Sequence, residues 1–178
     1  MKLNLALIAP LMIFAAMAGA FFVYLTRDNP DALPSTFVGR PAPAFAMEQL
    51  AELPHATPED LQGDGLKLVN FWASWCPPCR AEHPNLVALK DQGWTILGVN
   101  KSDREPNALG FLRELGDPYA KHAADPEGRN SLDWGVYGLP ETFLIDAEGN
   151  VILRHAGPVT RRVWNDRFAP VVEHHSNS

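Results

Sequence analysis

Cysteine is nearly absent from this chain of 178 residues, which carries only Cys76 and Cys79. Two thiols cannot build a multi-bridge framework and cannot by themselves complete a four-ligand zinc site. An excess of basic residues is missing too. Fifteen Lys and Arg stand against 21 Asp and Glu, for a formal net charge of −6, so a nucleic-acid backbone finds no surface on which to condense, and DNA or RNA binding is not the main role. Internal repeats are also lacking. What is present, 46% apolar and 20% charged residues with 13 Gly and 16 Pro, fits one globular domain plus an appendage and excludes a disordered or collagen-like chain.

Charge is lacking in one long stretch. After Lys2 no charged residue occurs until Arg27, and Leu3 to Leu25 as a helix would span roughly 34 Å, enough to cross a bilayer core of about 30 Å. Ala18-Gly19-Ala20 resembles a signal-peptide cleavage site, but Phe21 to Leu25 carries the apolar run past it. The expectation is a retained signal anchor over 1–27, with its N-terminus in the cytoplasm and the rest of the chain outside it. Residues 28–40, rich in turn formers, read as a linker, and 41–178 as the folded domain.

Within that domain strand-like and helical patterns alternate. Thr57-Pro58-Glu59-Asp60 opens a short helix, and Leu66 to Trp72 reads as a buried strand. Thereafter the pattern predicts a helix to about Lys90, a strand over Thr95 to Val99 and a helix over Glu105 to Leu115. Asp103 or Ser102 would cap that last helix and Gly116 would end it. Thr142 to Asp146 and Val151 to His155 form a hairpin around Ala147-Glu148-Gly149-Asn150, and a helix from about Thr160 to Glu173 closes the chain. The predicted architecture is α/β, a mixed sheet with helices on both faces.

Chemistry concentrates at Cys76-Pro77-Pro78-Cys79, where a strand turns into a helix. Unpaired backbone N–H groups and the positive end of the helix dipole favour a thiolate there. Cys76 is therefore the expected nucleophile. Cys79, one turn on and on the same face, can attack a mixed disulfide formed at Cys76. Pro77 and Pro78 restrict the loop and remove backbone donors that could otherwise reach the sulfurs.

Asn70-Phe71-Trp72-Ala73-Ser74-Trp75-Cys76-Pro77-Pro78-Cys79-Arg80 resembles the active-site segment of thioredoxin-fold proteins. Arg80-Ala81-Glu82-His83-Pro84 and Gly135-Val136-Tyr137-Gly138-Leu139-Pro140-Glu141-Thr142-Phe143 narrow the resemblance to the CcmG/DsbE family, thiol:disulfide interchange proteins of cytochrome c maturation. Leu144-Ile145-Asp146 and Arg154-His155-Ala156-Gly157-Pro158 fit that family as well. The resemblance implies a thioredoxin-like domain behind an N-terminal transmembrane helix, on an inner-membrane protein whose C-terminal domain lies in the periplasm. It implies a reductant of the haem-binding cysteines of apocytochrome c, acting directly or through a partner thiol protein. A membrane electron donor of the DsbD or CcdA type would recharge it. No cofactor beyond the Cys76/Cys79 couple and no metal are expected. A rival of the same fold is a general TlpA/ResA-like periplasmic thiol reductase. A copper chaperone is a weaker one, drawing on Cys76, Cys79 and His83.

The resemblance also implies a cis peptide bond at Leu139-Pro140, facing the cysteines. General thioredoxins carry an acidic residue where this chain has Asn70, which cannot shuttle a proton, so another group must serve Cys79. Glu82, three residues beyond Cys79, and Glu141, beside Pro140, are the candidates, expected to form an acidic rim that tunes the couple. His83 is expected to cap or pack beside Pro84, where the helix should kink. Trp75, Tyr137 and Leu139, with Pro77 and Pro78, would line the groove for a client segment, which could pair by strand addition.

Overall fold

The computed structural model describes residues 5–25, 38–43, 45, 47–63 and 65–176, the side chains of the first stretch over 9–22 only. The chain forms two compact units, Met1–Pro34 and Ser35–Ser178. In the first, α1 runs over Leu5–Leu25. Its described side chains cover 9–22, about 21 Å of rise, and among the described residues no helix is long and apolar enough to cross a membrane. Most of the linker assigned to 28–40 lies outside the described residues.

The second unit is built on a six-stranded sheet. Its strands are β1 (Arg40–Pro41), β2 (Lys67–Trp72), β3 (Thr95–Lys101), β4 (Lys121–Asp125), β5 (Glu141–Ile145) and β6 (Asn150–Ala156), in the order β1-β6-β5-β2-β3-β4. β2, β3 and β4 run parallel, while β5 is antiparallel to β2, and β6 to β5. β2 therefore has strands on both sides, and all six of its residues are buried, as expected of a central strand covered on both faces.

Alternation along β2 sorts the core. Leu68 and Trp72 join Ile96 and Leu144 on one face, against Leu86 and Leu89 of α2 (Pro77–Asp91), Ala108 and Phe111 of α3 (Glu105–Leu115), and Phe168. Val69 and Phe71 join Leu97, Val99 and Phe143 on the other, with Phe45, Leu61 and Trp134. The second face differs from the predicted pair of helical layers. It is covered by Phe45, Met47 and Ala56, a 3-10 turn at Pro58–Leu61 and the end of a five-residue helix, α4 (Arg129–Asp133). Trp134 compensates for the thin cover. It is fully buried and its ring meets Phe45, Phe71 and Phe143 at centroid distances of 6.0, 5.4 and 5.1 Å, contacts each worth about 0.5–1.5 kcal/mol beyond their area.

The main sequence-predicted elements are found within a few residues of their expected ends. β4, α4 and the short β1 were missed. The closing helix differs from expectation, because Arg161–Val163 (α5) passes through a π turn at Trp164–Phe168 before Ala169–Ser176 (α6). α2 continues past Pro84 to Asp91. Arg104, not Asp103 or Ser102, occupies the N-cap position of α3, and Gly116 ends that helix at φ +88°.

Candidate active site

The site forms at the carboxyl end of the parallel strands, where such sheets place their ligands. β2 delivers the chain at that end to 73–76, and β5, running the opposite way, begins there just after Pro140. Cys76 is the N-cap of α2, with extended backbone at φ −94° and ψ 105°, and Pro77 fills the first helical position, where a missing N–H costs nothing. Cys76 and Cys79 are joined as a disulfide, and the Cys79 N–H donates to Cys76 Sγ at 3.1 Å. That bond and the helix dipole would stabilise a thiolate on Cys76 after reduction. The Leu139-Pro140 peptide bond is cis.

In this oxidised form both cysteines are buried, Cys76 at 3% exposure and Cys79 at 2%, while Trp75 is 57% exposed and Tyr137 54%. Pro77 and Pro78 are exposed and Leu139 is half-buried. The attacking sulfur is thus less open than the sequence suggested, because Cys76 packs into the same apolar cluster as Trp72, Leu86 and Phe111.

Two residues the sequence did not single out for the site hold the turn in front of Cys76. Asp103 accepts the Ser74 N–H at 2.6 Å and the Ser74 hydroxyl at 2.9 Å, and also the Asn100 side chain and its neighbour's Arg104 N–H. Ser102, at φ +50°, offers its carbonyl to Trp75 Nε1 at 2.9 Å. The indole ring is thereby anchored by its polar edge. No signal in the sequence marked these roles, since Asp103 lies 29 positions from Ser74 and looked like a helix cap.

The acidic rim does not exist. Glu82 is 1% exposed and Glu141 fully buried, for different reasons. Glu141 Oε2 pairs with Arg154 at 2.7 Å, and its Oε1 accepts the N–H groups of Tyr137 (3.0 Å) and Gly138 (3.2 Å). Arg154 also donates to the Gly135 carbonyl and lies over the Tyr137 ring at 5.1 Å. Glu141 therefore acts as a brace for the loop leading to Pro140, with its charge balanced by Arg154. Glu82 has no such cation among the described residues. Its Oε1 accepts from Asn70 Nδ2 at 2.9 Å and its Oε2 from the Val159 N–H at 2.7 Å. Burial dominates, lifting the Glu82 pKa from 4.5 to about 7 against those two bonds.

Asn70, fully buried, links further. Its Nδ2 also donates to Thr142 Oγ1 at 3.0 Å, and its Oδ1 accepts the Tyr119 hydroxyl at 2.9 Å. His83 is 1% exposed, donates from Nε2 to the Gly116 carbonyl at 2.8 Å and sets its ring edge-on to Phe111. Among the described residues no group of three His, Cys, Asp or Glu side chains is arranged to hold a metal ion.

A Cys-x-x-Cys disulfide at a helix N-terminus on this sheet, with a cis-proline loop at the same end, defines a thioredoxin-fold thiol:disulfide oxidoreductase. Residues 37–168 match the family described as Redoxin. The chain is 50% identical over 167 residues to a thiol:disulfide interchange protein DsbE homolog of Paracoccus denitrificans, covering 94% of this chain and 93% of that one. It is 45% identical to the thiol:disulfide interchange protein HelX of Rhodobacter capsulatus, covering 92% and 93%. A crystal structure of a thioredoxin-family thiol:disulfide interchange protein from Chlorobium tepidum shares 31% identity at a TM-score of 0.56, covering 81% of this chain and 97% of that one. The chain belongs to the Redoxin family, among the DsbE and HelX thiol:disulfide interchange proteins.

Proposed function

We propose that this protein is a membrane-anchored periplasmic reductant in cytochrome c maturation, acting on the haem-binding cysteines of apocytochrome c directly or through a partner thiol protein. The observation that carries the exchange chemistry is the cysteine pair itself. Cys76 caps α2 with its sulfur on the Cys79 N–H. The DsbE and HelX relatives support the pathway, and the uncharged run between Lys2 and Arg27 supports the anchor. A disulfide couple exported to an oxidising compartment needs an electron supply through the membrane, and the resemblance to the CcmG/DsbE family supports a DsbD- or CcdA-type transporter as that donor. Tethering raises the effective concentration near that donor.

In the reaction, the Cys76 thiolate attacks one sulfur of a client disulfide. The Cys76–client bond forms, the client bond breaks, and one client sulfur leaves as thiolate. Cys79 then gives its proton to Glu82, the buried carboxylate one turn further along α2. Its sulfur attacks Cys76 Sγ, closing the Cys76–Cys79 bond and releasing the second client thiolate. The client has gained two electrons and the protein is oxidised. A pKa of about 7 suits Glu82 to accept a proton near neutral pH. Glu141 serves by position, holding the loop before Pro140, and Trp75, Pro77, Pro78, Tyr137 and Leu139 form the surface a client segment meets.

Two model clients test the reading. Rapid reduction of a Cys-x-x-Cys-His peptide disulfide, with slow reduction of insulin, is the expected result. Equal rates on both would replace it with a general TlpA/ResA-like reductase.

A further inference from the structure

Asn70 carries no titratable proton, yet it sits between the Glu82 carboxylate and a buried phenol. Its amide has two faces, one that donates and one that accepts, and its neighbours decide which points where. Tyr119 is 4% exposed. Its hydroxyl proton has one acceptor among the described residues, Asn70 Oδ1, and burying it without one is costly. That requirement aims Asn70 Oδ1 at Tyr119, and so aims Nδ2 at Glu82 and Thr142.

The phenol cannot swing away. Its ring stacks on Trp72 at 5.5 Å and 20°, meets His122 edge-on at 5.6 Å and His83 at 6.4 Å, and lies so close to Gly98 that a Cβ there would come within 2.6 Å of it. We propose that Tyr119 is a positioning residue for the disulfide exchange. By donating to Asn70 it locks the amide with its N–H toward Glu82, and so keeps Glu82 in the ionised form that accepts the Cys79 proton. This rests on the reading of Glu82 as that acceptor.

Without the hydroxyl, Glu82 orients the amide only while it is ionised, since a protonated carboxyl can face either end of the amide, and a threonine hydroxyl serves either as donor or as acceptor. A flipped Asn70 would set Oδ1 against Glu82 Oε1, two acceptors in contact, which is relieved when Glu82 holds a proton. The other titratable groups around the network are accounted for. On α2, Cys76 and Cys79 lie in the core beside Trp72 and Tyr119, His83 is bound to the Gly116 carbonyl, and Arg80 pairs with Glu114. From the segment before β4, Asp117 pairs with His122. On β5 and β6, Glu141 pairs with Arg154, and His155 accepts from Arg167. Tyr119 itself remains a donor, because burial raises its pKa far above 10.

The test is the pH profile of the second step: release of client thiol from a preformed Cys76 mixed disulfide, in the full chain in detergent. Tyr119→Phe is expected to move the midpoint upward by about one pH unit, roughly a tenfold change in proton affinity, and to do nothing to the profile in a Glu82→Gln background. A role in packing alone would lower the rate at every pH and leave the midpoint in place, which overturns the proposal. If Glu82→Gln shifts the profile but Tyr119→Phe does not, Tyr119 loses its role and Glu82 keeps its own. If Glu82→Gln leaves the wild-type midpoint intact, both fall. Should Tyr119→Phe fail to fold, 3-fluorotyrosine at position 119, a more acidic phenol and stronger donor, is expected to move the midpoint down, and an unmoved midpoint refutes the proposal.

Discussion

Glu82 makes the stability of this protein depend on pH in a direction opposite to that of most carboxylates. In the unfolded chain Glu82 ionises near 4.5, and in the folded protein near 7. Below 4.5 it is protonated in both states, and its contribution to stability is fully present. As pH rises, the unfolded chain releases the proton first, and stability is lost until the folded protein also ionises, at about 7. The separation, at about 1.4 kcal/mol per pH unit, amounts to about 3 kcal/mol, a large part of a typical domain stability. Glu82→Gln removes the titration while keeping the volume and an acceptor for Val159. Urea unfolding of the oxidised full chain at several pH values between about 4 and 8 should show wild type losing about 3 kcal/mol relative to Glu82→Gln across that window, with the difference flat on either side. A constant difference throughout would show that folding leaves the Glu82 pKa at its unfolded value, and the proton-acceptor role would fail with it.

Other consequences follow from single contacts. Arg154→Met leaves the Glu141 charge buried and unpaired, which should cost about 3–5 kcal/mol in thermal or urea unfolding, and adding Glu141→Gln should recover much of it; no recovery would mean that Arg154 stabilises by packing alone. Gly98→Ala places a Cβ 2.6 Å from the Tyr119 ring and should destabilise by about 1–3 kcal/mol, whereas an unchanged melting temperature would show that the ring gives way freely. Asp103→Ala removes both anchors of Ser74; the expected results are slower client reduction and a more mobile Trp75 by fluorescence anisotropy, and an unaltered anisotropy would refute the anchoring. Cys79→Ser should accumulate a Cys76-linked client adduct visible by mass spectrometry, while Cys76→Ser forms none; an adduct on Cys79 instead would reverse the assigned roles.

Local chemistry made the cysteine pair, the strand entering it and the helix leaving it legible, because a buried apolar run, a proline at the first helical turn and a Cys-x-x-Cys spacing act over a few residues. The loop before Pro140 was legible through its resemblance to a known segment. β4 was not, since Lys121–Asp125 carries two charges and two alanines and forms a strand only because β3 offers it an open edge.

The carboxylates mark where reading by position stopped. The sequence placed Glu82 and Glu141 close to Cys79 and Pro140 along the chain, which named the right residue type but grouped them as one acidic rim, whereas both are buried with different partners. Whether a carboxylate is exposed, paired or raised in pKa depends on what the distant chain brings to it. Arg154 comes from the next strand, the Val159 N–H from 77 residues away, and Tyr119 reaches Asn70 across 49. A helix dipole is local and can be read from neighbours; desolvation and a balanced charge are sums over space, and only the folded chain computes them.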